Sequence, residues 1–320
     1  MRVLVVGASG AIGARLIPQL IDRGHQVTGT CHSPGKTGRL GELGAEPVVL
    51  DALDAGAVRD AVTAARPDAI IHQATALAGA RFGLSLDRTF GATNRLRTEG
   101  TDALLAAARD AGVRRFIGQS FAPYRYDRRG GPVKTEDDPL DPAPPRRARQ
   151  TFAAMSHLDQ AVTDAGGIAL RYGGFYGDPD AVVRAVRKRQ YPMIGDGGAI
   201  FPLIHLHDAA AATVLALEHD GPAIYNITDD EPAPASAWMP VLAEVLGAKP
   251  PRRIPAWIAR MILGDGLSMM TESRGASNEK AKKELSWTLR YPTWREGFPA
   301  SYANPRPHHH PGPLAPPKPA

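Results

Sequence analysis

The chain has 320 residues, Lys+Arg 38 against Asp+Glu 33, a formal net charge of +5, 43% hydrophobic and 6% aromatic residues, 33 Gly and 29 Pro. That length supports one large or two modest domains with a buried core, and the single Cys31 excludes an internal disulfide scaffold and reads as a small buried hydrophobe in a reducing cytoplasm. The N-terminal apolar run, Val3 to Val6, is too short for a signal segment, the stretch Ala209 to Leu217 is about half of what spans a bilayer, and no basic stripe carries interleaved aromatics, so a soluble cytoplasmic protein with neither a membrane nor a nucleic-acid partner is expected.

Val3 to Val6 is a β-branched run closed by Gly7, and Ala11 to Arg23 carries apolar residues at helical spacing up to Gly24, with Pro18 expected to kink or shorten the helix. Strands follow over 26–30, 46–50, 69–72, 115–119 and 168–172, with helices near 56–65, 94–111 and 149–165 between them. This alternation predicts an α/β fold, a Rossmann-type doubly wound parallel sheet covered on both faces, within a dinucleotide-binding core over 1–177. Beyond Gly177 the rhythm loosens: a helix near 180–189, a strand at 200–204, an Ala-rich helix 208–219, a strand 223–227 and helices near 236–246 and 256–263. Residues 178–298 are therefore expected to form a smaller C-terminal substrate-covering region with some return to the core. Residues 299–320, rich in Pro and His, are expected to form a disordered tail. His308, His309 and His310 read as part of that solvated tail, and no metal is expected.

Gly7-Ala8-Ser9-Gly10-Ala11-Ile12-Gly13 lies between the first strand and the first helix, where the spacing has a mechanism. Gly7 permits the tight turn, Gly10 lets the backbone approach a pyrophosphate, and Gly13 lets helix and strand pack closely, while the helix N-terminus faces the phosphates. Ser9, Ala11 and Ile12 complete the cradle. After the second strand the chain reads Thr30-Cys31-His32-Ser33-Pro34-Gly35-Lys36 with no acid until Glu42. A carboxylate there would repel a 2′-phosphate; His32, Ser33 and Lys36 would hold one, so NADP(H) is preferred over NAD(H).

With those segments in place the chain resembles the extended short-chain dehydrogenase/reductases of the NAD-dependent epimerase/dehydratase type, from residue 1 to about 298. The resemblance rests on the glycine loop, Asp51-Ala52-Leu53, His72-Gln73-Ala74-Thr75-Ala76, Gly100-Thr101-Asp102-Ala103-Leu104-Leu105, Ser120, Leu170-Arg171-Tyr172-Gly173-Gly174-Phe175-Tyr176-Gly177, His207-Asp208 and Trp294-Arg295-Glu296-Gly297-Phe298. It implies that Asp51, Ala52 and Leu53 contact adenine, that Gln73, Ala74 and Thr75 border the cofactor, and that Tyr172, Gly173, Gly174 and Phe175 lie along the nicotinamide.

The family keeps a tyrosine and, four residues later, a lysine that together move a proton at the substrate oxygen. The resemblance places Thr151 and Met155 at those positions. None of the eight tyrosines is followed four residues on by lysine, and no lysine falls between Lys134 and Lys188. Ser120 then matches the hydroxyl that hydrogen-bonds the substrate, and Tyr124, four residues on, is a second catalytic candidate or a substrate-packing aromatic. Tyr176 has a similar claim as a substrate contact. Asn94, Arg97 and Glu99 open a long helix, where caps and surface charge compete evenly with a pocket role for Asn94. His207 before Asp208 is expected to order a helix start.

The leading reading is an NADPH-dependent reductase of a ketone or aldehyde, small-molecule or polyketide-like, that works without the usual relay. The alternatives are a nucleotide-sugar epimerase or dehydratase, which needs a base to oxidise an alcohol first, and a non-catalytic NADP(H)-binding sensor or interaction module. A homodimer through the helices 94–111 and 149–165 is compatible with the family.

Overall fold

The computed structural model describes residues 1–77, 85–177 and 181–303. Seven strands, β1 (Arg2–Val6), β2 (Gln26–Cys31), β3 (Glu46–Val49), β4 (Ala69–His72), β5 (Arg115–Phe121), β6 (Ile168–Tyr172) and β7 (Ala223–Ile227), form one sheet in the order β7-β6-β5-β4-β1-β2-β3. Every neighbouring pair is parallel. Because both faces of such a sheet are covered, β1, β4 and β6 are apolar almost throughout rather than alternating.

The helices that cover it are α1 (Gly13–Asp22), α2 (Ala55–Ala65), α3 (Thr101–Asp110), α4 (Arg149–Asp164) and α5 (Leu206–Glu218). One core packs Leu16, Ile17 and Leu20 of α1 and Ala209, Ala212 and Ala216 of α5 against the sheet. The other packs Val58 and Val62 of α2, Leu104 and Ala107 of α3, and Leu158 and Val162 of α4 against the opposite face. Pro18 sits inside α1 without ending it.

The sequence after residue 181 contributes α5 and the edge strand β7 to this sheet, and the rest builds a second core. Trp238, Met239 and Leu242 of α6 (Ala235–Val245) pack there with Trp294 and Phe298 of the helix Trp294–Tyr302. That last helix runs through Pro299, and the Tyr302 hydroxyl accepts from the Gly177 amide at 2.9 Å. Residues 299–302 are therefore helical, a correction to the tail expected from 299; 304–320, with the three histidines, lie outside the described residues. The strand expected over 200–204 is two, Ile200–Phe201 and Leu203–His205, because Pro202 interrupts it and each half pairs with a different partner. A short helix at Thr37–Glu42 follows β2 and the turn Pro34–Lys36. Among the described residues no helix is long and apolar enough to cross a membrane.

Candidate active site

The carboxyl ends of β1, β4 and β5 open where the strand order reverses, the place where doubly wound sheets take ligands. Gly7 has φ +82°, and a Cβ there would lie 2.5 Å from Ala74 Cα, so only glycine lets the loop lie against the end of β4. A Cβ on Gly13 would strike the backbone of Ala8, which fixes the close approach of α1 to the loop. Gly10 and Ala11 are exposed, Ser9 is half-buried, and Ile12 turns inward. No side chain caps the N-terminus of α1. Its amides are left for an anion, so the loop fits the pyrophosphate of a dinucleotide.

His32, Ser33 and Lys36 lie exposed just past β2, the last at the end of the turn Pro34–Lys36, with no carboxylate between them. Asp51, Ala52 and Leu53 follow β3, where Asp51 Oδ1 accepts from the Leu53 amide at 3.0 Å. Gln73 and Ala74 border Gly7, and the Gln73 amide donates to Val6 O at 2.8 Å. Thr75 follows them in the same segment.

At the other end of the cleft, α4 presents Thr151, Met155 and Asp159 at successive turns, all buried. Asp87 Oδ1 accepts both the Thr151 amide at 2.8 Å and the Thr151 hydroxyl at 2.9 Å. Asn94, 9% exposed, donates from Nδ2 to Thr151 Oγ1 at 3.0 Å, and its Oδ1 is buried without a partner. Met155 packs with Phe152 and Met269, and Leu86, Phe121, Tyr124 and Met270 lie against that cluster. This face of α4 is thus apolar at 155 and committed to structure at 151.

Ser120 is 1% exposed, and its Oγ accepts from Arg125 Nη1 at 3.0 Å. Asp159 Oδ2 takes Arg125 and Arg171, each at 2.8 Å, and Arg171 also donates to the Tyr126 hydroxyl at 3.1 Å. Burial would raise the Asp159 pKa, but the two guanidinium groups outweigh it and hold the carboxyl below its usual range. Ser120 is part of a buried ionic cluster that ties β5 and β6 to α4.

Tyr124 is half-buried, its backbone is left-handed at φ +68°, and its ring meets Phe201 with centroids 5.4 Å apart. A non-glycine residue held there is strained, a feature that gathers at functional sites. Burial pushes the phenol well above its usual pKa, so it holds its proton. Phe201 owes its position to Gly174: its ring occupies the space where a Cβ on Gly174 would stand. Gly173 is likewise overlain by Pro202 and Leu203.

Tyr172 is fully buried in the core with α1 and α5, its hydroxyl bonded to Thr213 at 2.7 Å and receiving Gln73 Nε2 at 3.1 Å. Phe175, half-buried, packs on that ring. Tyr176 is also core: it stacks edge-on with His205 and Phe298, and Gly297 closes over its hydroxyl. His205 Nδ1 accepts the His207 amide at 3.0 Å and starts α5, while Asp208 takes the amides of Arg290 and Tyr291.

The sequence reading missed Arg125, Asp159 and Arg171. The one signal was a charge in the otherwise apolar run Ile168–Tyr172, which must be paired if the strand is buried.

The sequence model of the NAD dependent epimerase/dehydratase family matches residues 3–228. A 3-diazoavenalumate denitrifying reductase from a Streptomyces species is 40% identical over 308 residues, 93% of this chain and 99% of that protein. A 4-hydroxy-2-methyl-3-oxo-4-farnesyl-3,4-dihydroquinoline-1-oxide ketoreductase from Stigmatella aurantiaca is 27% identical over 260 residues, 78% of this chain and 74% of the other. Among solved structures, UDP-glucose 4-epimerase from Thermotoga maritima shares the fold with a TM-score of 0.76 at 21% identity, covering 94% of this chain and 97% of that one. A human epimerase family protein solved with NADPH does so at 0.73 and 20%, covering 95% and 100%. The chain belongs to the NAD dependent epimerase/dehydratase family and is an NAD(P)-dependent oxidoreductase of the extended short-chain dehydrogenase/reductase type.

Proposed function

We propose that this chain is an NADPH-dependent reductase that delivers hydride to an aryl substrate without a proton relay on α4, its acceptor an arene diazonium reduced with loss of dinitrogen. The observation that carries this reading is the α4 face: Thr151 is tied to Asp87 and Asn94, and Met155 lies in an apolar cluster. The relative that is 40% identical, named for denitrifying a diazo compound, supports the acceptor class.

The residues at the glycine loop would hold the pyrophosphate, and His32, Ser33 and Lys36 a 2′-phosphate. A reduced nicotinamide, when bound, supplies hydride. For a diazonium acceptor the hydride forms a C–H bond at the ring carbon while the C–N bond breaks and dinitrogen leaves with that electron pair. No proton is consumed, so a site without a general acid suffices. Phe121, Tyr124, Phe152, Met155 and Phe201 give the arene an apolar, water-poor seat.

Carbonyl reduction is the second reading, favoured by Tyr124, whose protonated phenol is available to a developing alkoxide. An epimerase or dehydratase needs a base that first oxidises an alcohol, which the α4 face does not offer.

Anaerobic assays with NADPH, an arene diazonium carboxylate and a panel of aryl ketones and aldehydes test this. Dinitrogen is expected in step with NADPH loss, deuterium from 4-deuterated cofactor appears on the ring carbon, and Tyr124→Phe changes the rate by no more than about threefold. Carbonyl turnover alone, cut on the order of a hundredfold in Tyr124→Phe, selects the second reading. Turnover of neither class overturns both.

A further inference from the structure

Arg97 lies on the π-helical turn Leu96–Gly100 and is 5% exposed. Its Nε is enclosed without an acceptor, and among the described residues its guanidinium has neither a hydrogen bond nor an ion pair. Burying a cation in this way is unfavourable, and buried guanidinium groups are ordinarily paired. Burial, with Arg125 adding repulsion, lowers its pKa to about 10, which leaves it charged at neutral pH.

Among the described residues no carboxylate bonds it, although the Asp159 charge attracts it and Asp159 Oδ1 is buried without a partner. Asp159 already serves Arg125 and Arg171 through Oδ2. Glu136 faces Arg171 and accepts from the Asn226 amide at 2.6 Å. His72, the other titratable neighbour, is held neutral by burial. Arg97 is the excess charge of this cluster.

Its place follows from its neighbours. Asn94, one turn earlier, bonds Thr151, whereas Arg97 is within reach of the charges of Asp159 and Arg125, so it faces α4 beyond Thr151 toward Asp159. It also lies near His72, at the end of β4. The turn that carries it therefore sits beside the carboxyl end of β4, where His72 Nε2 lies 3.2 Å from Leu96 O. A planar fork of donors matches the paired oxygens of a carboxylate or a phosphate.

We propose that Arg97 is an anion-binding subsite of the cleft, taking a carboxylate of the substrate as its missing counter-ion. This deepens the reductase reading, on which the term substrate rests, by naming the substrate an organic acid.

Calorimetric titration of benzoate and of neutral benzamide into the full chain, with and without NADP+, tests the subsite without turnover. Wild type is expected to bind benzoate about tenfold or more tightly than benzamide. Arg97→Met and Arg97→Gln remove that preference, and Arg97→Lys keeps part of it. Arg97→Met also keeps or raises Tm, because an uncompensated charge leaves the interior, and it loses the rise in Tm that benzoate gives wild type. Unchanged benzoate preference together with a lowered Tm would overturn the proposal and make Arg97 a packing residue. A loss of NADP+ affinity with benzoate binding intact would overturn it too, assigning the charge to the dinucleotide. Intact benzoate preference in a protein that turns over no acceptor would sink the reductase reading and leave the subsite standing.

Discussion

Asn94 Nδ2 lies 3.0 Å from Thr151 Oγ1, and the direction of that hydrogen bond is fixed by Asp87. Thr151 has one hydroxyl proton, and the Asp87 carboxylate can only accept it, so Asn94 must donate to Thr151. Thr151 has no proton left for a substrate. In Thr151→Val, kcat is expected within about threefold of wild type, while chemical denaturation shows a loss of about 1–3 kcal/mol from the unpaired buried amide. A hundredfold fall in kcat, on the order of losing a general acid–base group, would contradict this.

Asp159 holds Arg125 and Arg171 together, both guanidinium groups being at most 5% exposed. Asp159→Asn leaves two buried cations uncompensated, and a loss of about 3–5 kcal/mol at neutral pH is expected. The folded carboxyl sits below the unfolded value of 3.8, so its stabilisation is present above that value and fades as pH falls through the folded one. Denaturation midpoints of wild type and Asp159→Asn should accordingly converge in acid below about pH 4.

Burial lowers His72 and His205 from 6.5 to about 4. Between those values the unfolded chain binds a proton that the folded one refuses. Stability therefore falls as pH drops through that window, by up to about 1.4 kcal/mol per unit for each histidine. His72→Phe should flatten the slope of unfolding free energy against pH by about that amount between pH 6.5 and about 5. An unchanged slope would mean that His72 protonates in the folded state.

Gly174→Ala should displace the Phe201 ring, an aromatic with no flexible end to yield, at a cost of about 1–3 kcal/mol. Since Phe201 packs on Tyr124, KM for an aryl substrate should rise while NADPH affinity, measured by fluorescence titration, stays as it was. A variant with wild-type Tm and KM would show that the Phe201 and Tyr124 packing is not part of the substrate seat.

The sheet was legible because its strands are short apolar runs bounded by glycine and polar residues, and each is set locally. The glycine loop was legible for the same reason. Thr37–Glu42 was not, because it holds Gly38 and Gly41 and buries only Leu40, which leaves no periodicity to read. Pro299 looked like an end of structure, yet Trp294 and Phe298 bury on one side of its helix and carry the chain through. At the site, the surroundings of Ser120 and Arg97 were not legible, because Arg125 and Asp159 are brought to them by other elements. Sequence spacing within a helix says nothing of a charge that a neighbouring strand or helix supplies.

The most direct measurement of the central claim is the solvent deuterium isotope effect on single-turnover hydride transfer to an arene diazonium carboxylate, followed from about pH 6 to about pH 9. Transfer that needs no proton predicts an effect near 1 and a flat profile, in wild type and in Thr151→Val alike. An effect of about 2 or more, with a pH dependence that Thr151→Val or Tyr124→Phe abolishes, would contradict the account and restore a proton relay to the site.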